Sequence, residues 1–363
     1  LHGLIDNRPH AQDARTEARA IREDEMNAGA KARAVLCALS AAIWSHAAAA
    51  SDIYDKKQMS LVIGYNPGGG YDIYARIIAS ALPRYIPGAP TIVPRNMPGA
   101  GSAAAANFLA SVAPRDGMTI GMVGQQLALS QALGEPVVKF DMRKFNWLGR
   151  VASSVEVSVV WRDQPVKTIA DATQQEITLA ATSAGSTSHA YPLLLNRIAG
   201  TKFKLVTGYP GITGGGLAME RGETQGSHAT VDGLLFAKRN WMDQKLVSVL
   251  VQYAMQRHPA LPDAPAMTEL ARTPEDRALL NLFASPAEIG RSLMTPPDIP
   301  SDRLAILRAA FDAMLEDPAF AAELTSKNLT FEPMKGADLQ KLIATALDIP
   351  DDLIARAKML SRE

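Results

Sequence analysis

The chain has 363 residues, 47% of them hydrophobic and 20% charged, and its Lys+Arg and Asp+Glu totals are both 37. A length of this order suggests two domains with cores of their own. Balanced charge excludes a global field that would draw nucleic acid or an acidic membrane, so a charged ligand must be recognised locally.

The first 50 residues do not read as part of a fold. Residues 1–25 mix Arg15, Arg19 and Arg22 with Glu17, Glu23, Asp24 and Glu25 and show no apolar periodicity. They are expected not to belong to the native protein, which would start at Met26. Lys31 and Arg33 then form a basic start, 34–44 an apolar stretch, and Ala48-Ala49-Ala50 a small-residue cleavage site. That is the layout of an export signal over 26–50, and its apolar stretch is too short to span a bilayer. The alternative is a short internal apolar helix. Cys37, the only cysteine, falls inside this stretch. An exported chain would then have no disulfide, thiol nucleophile or cysteine–zinc site. The expectation is a soluble periplasmic protein with no metal or other cofactor.

From Leu61 the sequence reads Leu61-Val62-Ile63-Gly64-Tyr65-Asn66-Pro67-Gly68-Gly69-Gly70-Tyr71-Asp72. An apolar strand enters a glycine turn, and a helix over about 71–82 follows, with Ile73, Ile77, Ile78 and Leu82 at helical spacing. Amides at a helix start have no intrahelical partner and lie at the positive end of the dipole. Such a turn suits carboxylate or phosphate. It lacks the Gly-Lys-Ser/Thr ending of a Walker loop and the downstream acid of a dinucleotide fingerprint. A bare tight turn remains the structural alternative. Asp72, near the first helical turn, is expected to cap free amides rather than meet an anion.

A short strand at 91–93 precedes a second glycine turn, Asn96-Met97-Pro98-Gly99-Ala100-Gly101, and an Ala-rich helix over 102–112. Strand 118–123 then ends in Gly124-Gln125-Gln126. Alternating strands and helices indicate an α/β protein with mainly parallel sheets. Ligands in this class bind outside the carboxyl ends of strands.

The middle repeats the theme. A β-rich run at 155–161 precedes a short helix near 169–173 and a strand at 177–181. That strand leads into Thr182-Ser183-Ala184-Gly185-Ser186-Thr187-Ser188-His189 and an apolar helix over 191–198, a second amide-and-hydroxyl site. Further strands are expected at 204–207 and 246–251, with a helix over 217–223 closed by Gly222. The segment 258–265 is too proline-rich for either element. Helices are expected over 301–315, capped by Ser301, and over 345–360.

Five segments together resemble the substrate-binding receptors of tripartite tricarboxylate transporters, the Bug-type receptors. They are Asn66 to Asp72, Asn96 to Gly101, Arg115-Asp116-Gly117-Met118-Thr119, His258 to Met267 with Glu269, and Met294 to Pro300 with its following helix. The resemblance implies a two-lobed, type II Venus-flytrap fold. One lobe would comprise 51–153 plus 286–363 and the other 154–285. It implies capture of a small organic carboxylate, with a dicarboxylate or aromatic diacid favoured, by a monomer that delivers it to membrane permease subunits. The expected ligand-binding residues are Tyr65, Asn66, Gly68, Gly69, Gly70, Tyr71, Asp72 and Gln125, with Ser183, Gly185, Ser186, Thr187, Ser188 and Tyr209. Gly208-Tyr209-Pro210-Gly211 departs from the family's Pro-Tyr-x-Gly, and Gly214-Gly215-Gly216 adds expected flexibility, placing the chain in a divergent branch.

An enzyme acting on a small anion is the competing reading, with His189 or His228 as general base. Neither histidine has a carboxylate or second histidine at metal-ligand spacing in sequence. The serines at 183–188 lack a Gly-x-Ser-x-Gly elbow. His258 sits in the proline-rich segment and reads as structural. No catalytic residue is therefore expected.

Overall fold

A computed structural model of the chain describes residues 53–182 and 186–361. The expected export signal and the stretch before it lie outside the described residues. The account that follows concerns the compact unit from residue 56 onward.

The first half alternates as its sequence suggests: β1 (Gln58–Ile63), α1 (Gly70–Ala81), β2 (Thr91–Asn96), α2 (Ala103–Ser111), β3 (Thr119–Met122) and α3 (Leu127–Ala132). β4 (Asn146–Arg150) then leads through 151–155 into β5 (Glu156–Trp161). After it come β6 (Ile177–Ala180), α4 (Thr187–Ile198), β7 (Phe203–Val206), α5 (Gly211–Glu220), β8 (Gly226–Thr230) and β9 (Val247–Tyr253). The chain returns through α6 (Pro274–Ala284) to β10 (Ser292–Thr295). It closes with α7 (Ser301–Glu316), α8 (Pro318–Ser326), β11 (Met334–Lys335), α9 (Gly336–Ala346) and α10 (Asp351–Ser361).

Two sheets result, in the orders β11-β4-β10-β3-β1-β2 and β7-β6-β8-β5-β9. β1 pairs in parallel with both β2 and β3, and β6 with both β7 and β8. Strands next to the crossovers are antiparallel: β10 against β3 and β4, and β5 against β8 and β9. Helices flank both sheets, the arrangement expected of a two-lobed binding protein. β1 and β6 are each a strand at which the order reverses, and crevices open at the carboxyl ends of such strands.

The interior of the first sheet rests on Leu61, Val62 and Ile63, all at most 2% exposed, each contributing about 2 kcal/mol by burial. Of the face the sequence suggests for its helix α1, Ile78 and Leu82 are fully buried, but the buried face is centred closer to the tyrosines. Tyr71, Tyr74, Ala75 and Ile78 are buried, while Ile73 and Ile77 are only half-buried. Two tyrosines are larger than the isoleucines beside them, and their hydroxyls find partners inside.

Other differences have local causes. α5 runs through Gly214-Gly215-Gly216, which were expected to be flexible. A Cβ at Gly215 would meet Ser227 Oγ at 2.9 Å and one at Gly216 would meet Trp241 at 3.0 Å, so these glycines let the helix lie close on its neighbours. Pro300, not Ser301, is the N-cap of α7. The expected terminal helix over 345–360 is two helices, because Pro350 cannot continue the first. The second of them, α10, packs beside α4 and α6, and its Ala357 is buried with the second sheet's core.

The proline-rich segment after β9 is held by Arg257, whose Nη1 donates to Pro262 O at 2.7 Å, and above all by Gln252. Gln252, fully buried, donates from Nε2 to the carbonyls of Leu261 (2.8 Å) and Ala264 (2.7 Å) and accepts from His258 N–H (2.8 Å). Gln252→Leu should leave the His258 N–H and the Ala264 carbonyl unpaired, since Leu261 O still accepts from Ala264 N–H, and cost about 3 kcal/mol, lowering the melting temperature by roughly 5 °C. Unchanged thermal melting would show that the segment is held by other contacts.

Candidate functional site

Close packing at the ends of β1, β2 and β3 builds the first wall. A Cβ at Gly64 would lie 1.7 Å from Ser102 Oγ, and one at Gly124 would lie 2.4 Å from Tyr65 Oη. Ser102 Oγ accepts from Gly124 N–H at 2.9 Å. Only glycine at both positions lets three turns meet here.

The glycine turn hangs from Asp72. Its Oδ2 accepts from Gly68 N–H and Arg76 Nε, and its Oδ1 from Asn96 Nδ2, each at 2.9 Å. Burial pushes this carboxyl up, but those hydrogen bonds outweigh it and hold it below the usual carboxylate range. Asp72 therefore fixes the turn from behind. Gly68, at φ +83°, takes the left-handed conformation the turn requires. The first helical bond runs from Ile73 N–H to Gly69 O, so the amides of residues 70–72 have no intrahelical acceptor.

Tyr65 and Tyr71 stack with centroids 4.4 Å apart. Tyr65 Oη bonds the Gln126 side chain, and Tyr71 Oη accepts from Gln125 N–H at 3.0 Å. Gln125 is 2% exposed; it donates from Nε2 to Ser154 O, while its Oε1 has no protein partner. Asn66 and Gly68 are exposed on the turn.

The second wall begins where β6 hands the chain to α4. Ser183 and Gly185 lie outside the described residues. Ser186 precedes the helix, and its Oγ lies 2.9 Å from Ser188 Oγ, which accepts from Thr182 N–H at 3.0 Å. Thr187 is half-buried at the first position of that helix. Tyr209, distant in sequence, is half-buried beside the end of β6: its N–H donates to Ala181 O at 3.3 Å. Gln126 from the first wall and Thr187 and Tyr191 from the second line one cavity of ≈100 Å³. Among the described residues expected to bind ligand, only Thr187 lines that cavity, and no residue of 65–72 does.

Sequence reasoning missed the charged floor of this region. Glu156 Oε2 lies 2.6 Å from His228 Nε2, both residues buried. Antiparallel register makes them diagonal neighbours, since Ser158 is opposite His228 and Glu156 opposite Thr230. The carboxylate partner absent from the sequence around His228 is supplied across the sheet. Burial pushes Glu156 up, but His228, the Thr187 hydroxyl and Arg291 together hold it below the usual carboxylate range. His228 stacks on Tyr253 at 5.4 Å, and Tyr253 Oη meets Ser158 Oγ at 2.7 Å. A carboxylate inside the apolar run of β5 was the available signal.

Arg291 is the other missed charge. It is 1% exposed, with Cζ 4.1 Å from the Tyr71 ring centroid and Nη2 3.6 Å from Asp232 Oδ2. Asp232 Oδ1 also accepts from Tyr74 Oη (3.2 Å) and Thr330 N–H (3.3 Å). His189 is buried on α4, and His258 accepts from Ala260 N–H and braces its loop. Among the described residues, no group of three or more His, Cys, Asp or Glu side chains could hold a metal ion. Nor is any described helix long and apolar enough to cross a membrane.

The two helix-flanked mixed sheets give the fold of two-lobed periplasmic binding proteins. The family model described as "Tripartite tricarboxylate transporter family receptor" matches residues 74–359, and the chain belongs to that family. BugD, a periplasmic binding protein, shares the fold at TM-score 0.66 and 18% identity, over 85% of this chain and 98% of its own. The R. palustris protein Rpa4515, solved with adipate, aligns at TM-score 0.64 and 20% identity, over 84% and 97% of the two chains. MatC of Rhodopseudomonas palustris, solved with bound malate, aligns at TM-score 0.61 and 20% identity, over 84% and 99%. A Cupriavidus necator protein, "UPF0065 protein in gbd 5'region", is 31% identical over 165 residues, 44% of this chain. That match spans 48% of the curated relative's length.

The buried Glu156 gives an acid-side prediction. Because its folded pKa is depressed, its ionised form adds stability above the ordinary carboxylate value, and this is lost as pH falls through the folded value. His228→Phe keeps a ring against Tyr253 but removes the hydrogen bond, so the folded pKa should rise. Melting temperatures followed from neutral to acidic pH should then start to fall at a higher pH than in the wild type. Parallel curves would mean that His228 does not set the state of Glu156.

Proposed function

We propose that this protein is a periplasmic receptor that captures a small organic carboxylate between two lobes, one around each sheet, and delivers it to the permease subunits of a tripartite transporter. One observation carries the reading. The glycine turn and the strand end at Thr182 each lead into a 12-residue helix, and the amides of residues 70–72 at the start of the first have no intrahelical acceptor. Helix starts of that length suit carboxylates. Membership of the receptor family and the adipate and malate of two fold neighbours support the same class. A diacid is favoured, since each carboxylate would find its own amide-and-hydroxyl loop, at 66–72 and 183–188.

The protein acts as a monomer, needs no cofactor and does no chemistry on its ligand. The His228–Glu156 pair is the feature that would serve a general base. Its geometry argues against that role: His228 Nε2 is taken by Glu156 and Nδ1 is buried without a partner, so no hydroxyl is held by the imidazole. Turnover of a bound carboxylate, abolished in His228→Phe, would revive the enzyme reading.

A thermal-shift screen of dialysed protein should give its largest response with a C4–C8 or aromatic diacid. At 100 times the dissociation constant, ligand stabilises the native state by about 2.7 kcal/mol and raises the melting temperature by roughly 5 °C. Losing one carboxylate should cost about 30-fold or more in affinity, so matching monoacids should shift far less. A sugar or an amine giving the largest shift would overturn the proposal. Gly69→Val supplies the local test: a Cβ there meets only Asn66 O, at 3.9 Å, and φ is −83°. The variant should fold normally and lose the diacid response; full binding would remove the glycine turn from the site.

A further inference from the structure

Behind the two loops, where segment 151–155 passes segment 285–291, the interior holds polar atoms that the protein leaves without partners. Arg291 Nε and Nη1, Gln125 Oε1, Ser154 Oγ and His228 Nδ1 are all buried and unpaired among the described residues. Arg291 is the most telling of them. Its backbone is locked, since its N–H donates to Ala152 O (2.8 Å) and its carbonyl accepts from Val151 N–H (3.0 Å). A guanidinium has five N–H donors, yet here only Nη2 has an anionic neighbour, Asp232 Oδ2 at 3.6 Å, beyond hydrogen-bond distance.

The neighbouring acids cannot make up the deficit. Asp232 Oδ2 reaches only Nη2, as a buried ion pair at 3.6 Å, and Glu156 is bonded to His228, so Nε and Nη1 meet neither acid. A buried charge with unmet donors is costly unless something supplies acceptors. The guanidinium also lies directly under the candidate loop: a Cβ at Gly70 would come 2.8 Å from Nη2, and the Tyr71 ring lies 4.1 Å from Cζ. Every first-wall residue it touches belongs to the start of α1.

We infer that Arg291 is the specificity-determining residue of this site, its free Nε and Nη1 donors taking an anionic group of the ligand beneath the glycine turn. This rests on the receptor reading above and deepens it. Backbone amides and hydroxyls hydrogen-bond a carboxylate and a primary amide's oxygen alike, whereas a buried guanidinium distinguishes them by charge. The ligand must therefore bear full negative charge at this end, and an uncharged isostere there should be rejected.

The experiment titrates the diacids succinate, adipate and suberate, and their half-amides, into wild-type protein by calorimetry, and repeats this with Arg291→Gln and Asp232→Asn. Wild-type protein should prefer its best diacid over the half-amide by about 30-fold or more. Arg291→Gln should weaken the diacid by a similar factor and bring the ratio to within about threefold. Asp232→Asn, which removes the residue's acidic neighbour and leaves the guanidinium, should keep the wild-type ratio. A merely structural arginine would lower both affinities and leave their ratio unchanged, and that result overturns the inference. Should Arg291→Gln fail to fold, the wild-type ratio still decides: equal binding of diacid and half-amide refutes charge reading. Wild-type protein that binds none of the acids but responds to another compound class would instead overturn the carboxylate reading itself.

Discussion

Asp72 carries its charge at 3% exposure, held by the amide of Gly68, the guanidinium of Arg76 and the side-chain amide of Asn96. These three donors come from the turn, the helix after it and the end of the neighbouring strand. The carboxylate therefore ties β1, β2 and α1 together at the point where the sheet order reverses. Asn96 adds a second tie by donating to Tyr65 O at 2.9 Å. A turn of three glycines would otherwise sample many conformations. Fixed in this way, it presents the first amides of α1 in one orientation, and preorganised donors lose less freedom when they meet a ligand.

Behind that turn the molecule uses tyrosines where a simpler core would use aliphatic side chains. Tyr71, Tyr74, Tyr191 and Tyr253 are all buried, and burial first of all pushes their hydroxyls well up, so they stay protonated. Their rings supply apolar surface and their hydroxyls meet Gln125, Asp232 and Ser158. Among these rings the Arg291 guanidinium lies 4.1 Å from the Tyr71 centroid, and Glu156 is bonded to the His228 that stacks on Tyr253. The two charges also attract each other, which helps to hold Glu156 ionised.

The loops were legible because their signals are local. An apolar run, a Pro-Gly-Gly-Gly turn and helical spacing lie within about twenty residues, and so do a strand, small hydroxyl residues and the start of α4. The core face of α1 was less legible, because Tyr71 and Tyr74 face inward through distant partners such as Asp232. The charged floor was hidden for the same reason. Glu156 and His228 meet only through the register of β5 with β8, and Arg291 meets Tyr71 only once the chain has returned from the second sheet. Gly214-Gly215-Gly216 shows the reverse error: glycine was read as freedom, whereas its use here is close approach to Ser227 and Trp241.

The position of α10 has a mechanical consequence. Two segments, 151–155 and 285–291, run side by side between the sheets, and two adjacent strands define a line about which bodies can rotate. The chain crosses a third time at 347–350, because α9 packs on β4 of the first sheet while α10 packs on the helices of the second. Those four residues span at most about 14 Å when fully extended, and Pro350 stiffens their end. That short span keeps α9 and α10 close together, so the helix packed on β4 and the helix packed on the second sheet's core are tied at this point.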